Sequence, residues 1–177
     1  ASKVPADVPL YVIPQQLGEQ LTGFNFHVGV LACGVRKPYP SLDEVLASKS
    51  RIGQTTAATE NTSPLTAVIC PHCDNPENLG AIIRISAAFG IDVLLLGRSC
   101  CDPFSRRVLR VSMGAALRLP IIHSLDLEHD VKRLRDEWHA ELIGTVLDET
   151  AERLSVAEKP TRLGLLLGNE ADGLDER

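Results

Sequence analysis

Four stretches of this sequence combine residue types that can do chemistry. The first is Cys70-Pro71-His72-Cys73, a dithiol spacing that could exchange disulfides or contribute to a metal site. The second holds Arg84, an isolated cation among Ile82, Ile83 and Ile85, downstream of Asn78 and Gly80. Such an arginine can snorkel to solvent, or turn its planar fork on a phosphate or a developing oxyanion. The third runs from Ser105 to Arg118 and carries Arg106, Arg107, Arg110 and Arg118 without one acid. It reads as a solvated helix face or as a landing place for a phosphate backbone. In the fourth, Gly168 and Gly173 bracket Glu170 after a fully apolar run. That is either an ordinary turn with a solvated acid or a tight backbone whose amides face a ligand.

The elements that must position these residues follow a regular alternation from Leu65 onward. LTAVIC (65–70), DVLLLG (92–97), LIGTVL (142–147) and LGLLL (163–167) read as buried strands. Between them lie helical stretches: NLGAIIRISAAF, SRRVLRVSMGAA, and an amphipathic helix in which Leu127, Val131, Leu134 and Trp138 recur on one face. A short apolar run, LPII, precedes that last helix. Continuous apolar strands alternating with helices imply a parallel α/β sheet with helices on both faces. Ligands of such sheets collect beyond the carboxyl ends of the strands, where all four chemistry-bearing stretches fall or begin. None matches GxGxxG or GxxxxGK[ST], so neither a dinucleotide fingerprint nor a P-loop is present. Asn78 is placed to cap the helix that carries Arg84. Gly80 in its first turn costs helix stability, which makes sense if backbone or ligand comes close there.

Upstream the character differs. VPLYVIP (8–14) is extended and ends at Pro14, and FHVGVLACGVR (26–36) is strand-like. Residues 38–64 are small, polar and punctuated by Pro and Gly, with one short helix at SLDEVLA, and read as a connector. Residues 1–37 are too few for an independent domain. The chain is expected to begin inside one domain and to stop early in another, because GNEADGLDER follows a core strand with no covering helix.

Composition bounds the functions. The 177 residues carry 44% hydrophobic and 23% charged residues with a net charge of −5, as in a globular protein that does not bind nucleic acid by bulk charge. A local basic face is still allowed. No apolar run is long enough to span a bilayer, and residues 1–14, without a charged start and apolar core, are not expected to act as a secretory signal. Five cysteines, at 33, 70, 73, 100 and 101, form no disulfide framework, so a reducing cytoplasm is expected. For Cys70 and Cys73 a redox role requires a helix starting at the first thiol, yet helical periodicity begins only near Asn78. A zinc site requires a second ligand pair, and Cys100–Cys101 is adjacent rather than spaced. Half-buried structural thiols are the simplest reading, and no metal is expected.

Taken together, NPENLGAIIRISAAFG (75–90), VSMGAALRLP (111–120) and LGLLLGNEADGL (163–174) resemble, in order and spacing, the motifs of the SpoU–TrmH family of knotted RNA ribose methyltransferases. The segment VPLYVIPQQLGEQLTGFNFHVGVLACGVRKP is similar to the last part of the small ribosomal-protein-like RNA-binding domain that many members carry. The resemblance implies S-adenosylmethionine as methyl donor, transfer to a ribose 2′-hydroxyl of ribosomal or transfer RNA, and a homodimer with a shared active site. It also implies a domain division of 1–37, 38–64 and 65–177, the last a trefoil-knot methyltransferase domain. The family's catalytic residues fall on Arg84, Asn78 and Glu170. Its cofactor loops fall on Thr145, Val146 and Leu147 and on Leu167, Gly168, Asn169, Gly173 and Leu174. Arg84, Arg106, Arg107 and Arg110 are the expected RNA contacts. The family's third motif, of the form IPM…SLNVSVA, which forms the knot, does not occur before Arg177. A thiol–disulfide oxidoreductase using Cys70 and Cys73, or a non-catalytic RNA-binding module of the same fold, are the competing readings.

Overall fold

The computed structural model describes all residues except 1–3, 6, 24, 26–28, 53–62, 149, 154, 170–172 and 175–177. It divides into two compact units, Ala1–Lys37 and Pro38–Arg177. In the first, Pro14 stands at the N-cap of helix α1 (Gln15–Thr22), and Gly23 closes it in the left-handed region at φ 71°. Val30, Leu31 and Val35, which the sequence reads as strand-like, are exposed and unpaired with any described strand. A β-rich composition reports fitness for a packed, pleated surface, and no described neighbour offers one.

The second unit opens with helix α2 (Leu42–Ile52), followed by β1 (Leu65–Cys70), α3 (Pro76–Ala88) and β2 (Val93–Leu96). Then come α4 (Arg106–Val111), β3 (Ile121–His123), α5 (Leu127–Asp136), β4 (Glu141–Gly144) and β5 (Arg162–Leu166). All five strands are parallel, in the order β3-β2-β1-β5-β4. The α/β sheet covered on both faces is therefore present, with one strand more than the sequence suggests. That strand is the LPII run, whose Ile121 and Ile122 pair with Leu94 and Leu95. Three residues are too few to carry a period of their own.

The period-2 alternation of the central strands builds two cores. Val68 and Cys70 on β1, with Leu94 and Leu96 on β2, pack with Leu79, Ile83 and Val108 of α3 and α4. Ala67, Ile69, Val93 and Leu95 face the other way, onto Leu134 of α5 and Leu42, Val45 and Leu46 of α2. Part of the stretch read as a connector is thus a core helix. Ser41 starts it with a capping box, its backbone N–H and its hydroxyl both donating to Glu44. Arg133 then ties α5 to α2 through Asp43 at 2.6 Å and to Glu137 at 2.9 Å.

α3 starts earlier than expected. Asn75, not Asn78, is the N-cap: its side chain accepts from the Glu77 N–H at 2.9 Å, and Pro76 pre-sets the first helical φ. Asn78 therefore sits inside the first turn.

Candidate functional site

Strand order locates the site before any side chain is considered. From β1 the chain builds outward to β2 and β3 on one side, and the other flank is filled by β5 and β4. The reversal lies between β1 and β5, and a crevice opens beyond the carboxyl ends of strands at such a switch point. A groove of about 850 Å³ lies there. Residues from Cys70 to Asn78 line one part of it, and Leu167, Gly168 and Asn169 line another.

The loop after β5 is held by close backbone contact. Leu167 donates its N–H to Ile69 O at 2.9 Å, fixing the loop to β1. Asn169 and Gly173 then exchange backbone hydrogen bonds of 2.8 and 2.9 Å. A Cβ on Gly168 would lie 2.5 Å from the Gly173 carbonyl carbon, so only glycine fits beneath this pair. Gly173 itself has φ 72°. The loop after β4 joins the same edge: Thr145 donates from both its N–H (3.0 Å) and its hydroxyl (3.1 Å) to Leu166 O. Leu174 approaches Gly144, whereas Val146 and Leu147 are exposed. The two loops expected to hold a cofactor are therefore brought together. Glu170 lies outside the described residues.

Arg84 is elsewhere. It lines a second cavity of about 460 Å³ with Ala88, Met113 and Arg118, and does not line the groove that contains Asn78. The helical period accounts for this, because six residues at 100° each leave Arg84 well off the face of Asn78. Of the other expected RNA contacts, Arg106, Arg107 and Arg110 are all exposed on α4. Arg107 is committed to Glu77 on α3 through Nε at 2.9 Å and through its Nη2, which holds the Glu77 carboxyl below the usual range.

The close approach expected at Gly80 is made by the protein itself: the Val111 side chain lies 2.6 Å and the Ser112 backbone nitrogen 3.3 Å from where a Cβ would stand. The absent side chain lets α3 and α4 pack tightly.

The cysteines oppose a redox centre. Cys70, Cys73 and Cys100 are buried, and no disulfide joins the described cysteines. Burial pushes the Cys70 thiol up and the Cys73 thiol to about 12, with Cys100 nearby adding to both. A nucleophilic thiol needs the opposite shift. Among the described residues no cluster of His, Cys, Asp and Glu is arranged to hold a metal ion.

His72, Asp74 and Asn75 line the groove and were not singled out as site residues. The only signal for them is their place after β1, which gains meaning once β5 is known to lie beside it.

The chain is similar to known RNA methyltransferases. An uncharacterized tRNA/rRNA methyltransferase of Mycobacterium tuberculosis is 30% identical over 94% of this chain and 53% of its own length. The 23S rRNA (guanosine-2′-O-)-methyltransferase RlmB of Acinetobacter baylyi is 26% identical over 88% of this chain and 59% of its own. This chain thus spans a little over half the length of either relative. The AdoMet-bound rRNA methyltransferase of Sinorhizobium meliloti superposes with a TM-score of 0.54 at 27% identity, over 64% of this chain and 43% of that one. With residues 66–177 matched by the family, including both loops of the groove and the whole of α3, the chain belongs to the SpoU rRNA Methylase family.

Proposed function

We propose that the protein transfers a methyl group from S-adenosylmethionine to a ribose 2′-hydroxyl of ribosomal or transfer RNA. The observation that carries this reading is the groove at the β1/β5 switch point, where the loops of two family motifs converge. The RlmB relative supports the ribose position, and the AdoMet-bound neighbour supports the cofactor.

The loop after β5 suits that cofactor. Its backbone is drawn so tight that a Cβ at Gly168 would fill it, and the apolar side chains of Leu167 and Leu174 are half-buried beside it. Leu167, Gly168, Asn169, Gly173, Leu174 and Thr145–Leu147 would hold it; when bound, it supplies an electrophilic methyl group. A ribose hydroxyl must lose its proton as it attacks. A guanidinium hardly deprotonates in proteins, so the role of Arg84 is to stabilise the developing alkoxide and hold a neighbouring phosphate rather than to act as base. Asn78 in the groove, and Glu170 beyond the described residues, complete the catalytic set.

Arg84 and the groove occupy separate cavities of one chain, which favours a homodimer in which Arg84 serves the groove of a partner copy. Ile85, Phe89 and Leu117, exposed on α3 and after α4, suit burial by a second copy. Residues 1–37 are assigned to RNA binding, and the setting is the cytoplasm. A trefoil knot closed by the family's third motif belongs to the same proposal.

Methyl-labelled S-adenosylmethionine, incubated with the protein and total RNA that is then digested to nucleosides, tests the reading. Label in a 2′-O-methyl nucleoside is expected. Label on a base refutes the ribose position, and absence of both label and cofactor binding favours a non-catalytic RNA-binding module.

A further inference from the structure

We propose that Arg118 is a second anion-binding residue, sharing with Arg84 a pocket that receives a phosphate of the RNA backbone. The inference rests on the RNA methyltransferase reading and adds to it a residue and a location. Arg84 and Arg118 line one cavity whose remaining wall includes Ala87, Ala88, Ile91 and Leu119. Neither guanidinium makes a hydrogen bond or ion pair with any described residue. Arg107, Arg133 and Arg135 each hold a carboxylate, whereas Arg110, exposed on α4, holds none among the described residues; what sets Arg84 and Arg118 apart is the cavity they share. Two exposed guanidiniums at one apolar-walled cavity can take an anion between them, and phosphate offers oxygens to both planar forks.

The backbone around the cavity contributes no competing donors. After α4 the N–H groups of Met113, Gly114 and Ala115 donate to the carbonyls of Arg110, Leu109 and Ser112. The anion-binding capacity therefore resides in the two side chains. Met113 marks the rim. It has φ 53°, a conformation that costs a non-glycine residue energy, and it is 77% exposed. Such strain concentrates at binding sites, and an exposed thioether beside two arginines offers the apolar contact that a ribose or base adjoining the phosphate would use.

The test measures binding of a fluorescent single-stranded oligouridylate to the full chain across a range of salt concentrations. Arg118→Ala is expected to weaken binding about tenfold and to lower the slope of log K against log salt by about 0.7, the loss of one phosphate contact. Arg118→Lys, which keeps the charge but not the fork, is expected to fall between. The double variant Arg84→Ala/Arg118→Ala is expected to lose less than the product of the two single losses, because both groups serve one phosphate. Arg135→Ala, remote and paired with Asp136, is the control. Unchanged affinity and slope in Arg118→Ala overturn the assignment, as does a wild-type chain that leaves the oligonucleotide unbound. A change of sedimentation in Arg118→Glu without a change in RNA affinity overturns it too, and assigns the pocket to a second copy of the chain. Methyl transfer and cofactor titration are read in parallel. Failed transfer with the expected salt response removes the proposed reaction and leaves the pocket standing.

Discussion

Replacing Gly168 by alanine separates the loop after β5 from the fold that carries it. The added Cβ would lie 2.5 Å from the Gly173 carbonyl carbon and 2.8 Å from both its oxygen and the Leu174 nitrogen. Comfortable contacts between carbons begin near 3.5 Å, so the two limbs of the loop must part by about 1 Å. That stretches the Asn169–Gly173 pair, now 2.8 and 2.9 Å, past the length at which either is a hydrogen bond. At about 1 kcal/mol each, the local cost is about 2 kcal/mol. If the loop holds the cofactor, that cost appears in the dissociation constant as a weakening of about 30-fold. It does not appear equally in global stability, because neither Gly168 nor Gly173 belongs to a core cluster. Calorimetric titration with S-adenosylmethionine and urea unfolding, run on the same samples, read the two effects apart. Gly173→Ala reaches the same loop by another route: its Cβ meets nothing within 4 Å, but φ 72° is strained for alanine by about 1–2 kcal/mol. Gly173→Asn, which tolerates that region, should recover part of the loss. A folded Gly168→Ala with cofactor affinity within about twofold of the parent would show that this loop is not the cofactor's seat.

The remaining expectations concern stability and the thiols. Gly80→Ala sets a Cβ 2.6 Å from Val111 Cβ, so the roughly 1 kcal/mol helix-propensity gain should be outweighed by overpacking of about 1–3 kcal/mol; a more stable variant in urea would refute the packing account. Val111→Ala should rescue it only in part, since the contact is with Cβ itself. Arg133→Ala should cost about 1 kcal/mol through loss of the bridge from α5 to Asp43 and Glu137, and Asp43→Asn in that background should add little. With a disulfide reagent, exposed Cys33 should react first and Cys70 and Cys73 only on unfolding; fast reaction of Cys70 revives the redox reading. Because the folded thiols titrate above their ordinary value of 9.0, their contribution to stability is complete below that pH. It should decline as pH rises from there toward about 12, where the unfolded chain ionises and the fold does not.

What the sequence could reveal depended on how far each signal reaches along the chain. The sheet was legible because β1, β2 and β5 are continuous apolar runs, and a run buried on both faces needs no partner to be recognised. β3 was not, since three residues hold no period and its place is fixed by Leu94–Leu96 across the sheet. The α3 cap was missed for a local reason. Asn75-Pro76 is a stronger helix start than Asn78, but the apolar pattern begins only at Leu79. The short helix read at SLDEVLA is present as the start of α2, but the polar character of 38–64 hid its role, because Leu42, Val45 and Leu46 supply three buried core contacts at helical spacing within an otherwise small, polar stretch.

The candidate site was legible as motifs and illegible as a place. Asn78 and Arg84 lie six residues apart in one motif, and reading them as a pair facing one ligand is natural on paper. On α3 that spacing turns them onto different faces, and the structure gives each its own cavity. The groove needs β1 beside β5, strands separated by 91 residues from the end of one to the start of the other in sequence, and Gly168 matters because of Gly173 rather than because of its own neighbours. The same logic makes Arg118 informative. Within its arginine-rich run it is one cation among four. In the fold it shares a pocket with Arg84 while Arg107 is spent on Glu77, so a helix face that looks uniformly basic divides into structural ties and open donors. If the phosphate of a substrate RNA sits between Arg84 and Arg118, the reactive ribose must reach a groove that its own chain places elsewhere. A second copy supplies that groove most directly, and mixing Arg84→Ala with Gly168→Ala chains then restores one intact site per mixed dimer. Methyl transfer in the mixture above that of either variant alone, read at cofactor concentrations below the weakened dissociation constant, is the expected result; no gain would place Arg84 and the groove in service of the same chain.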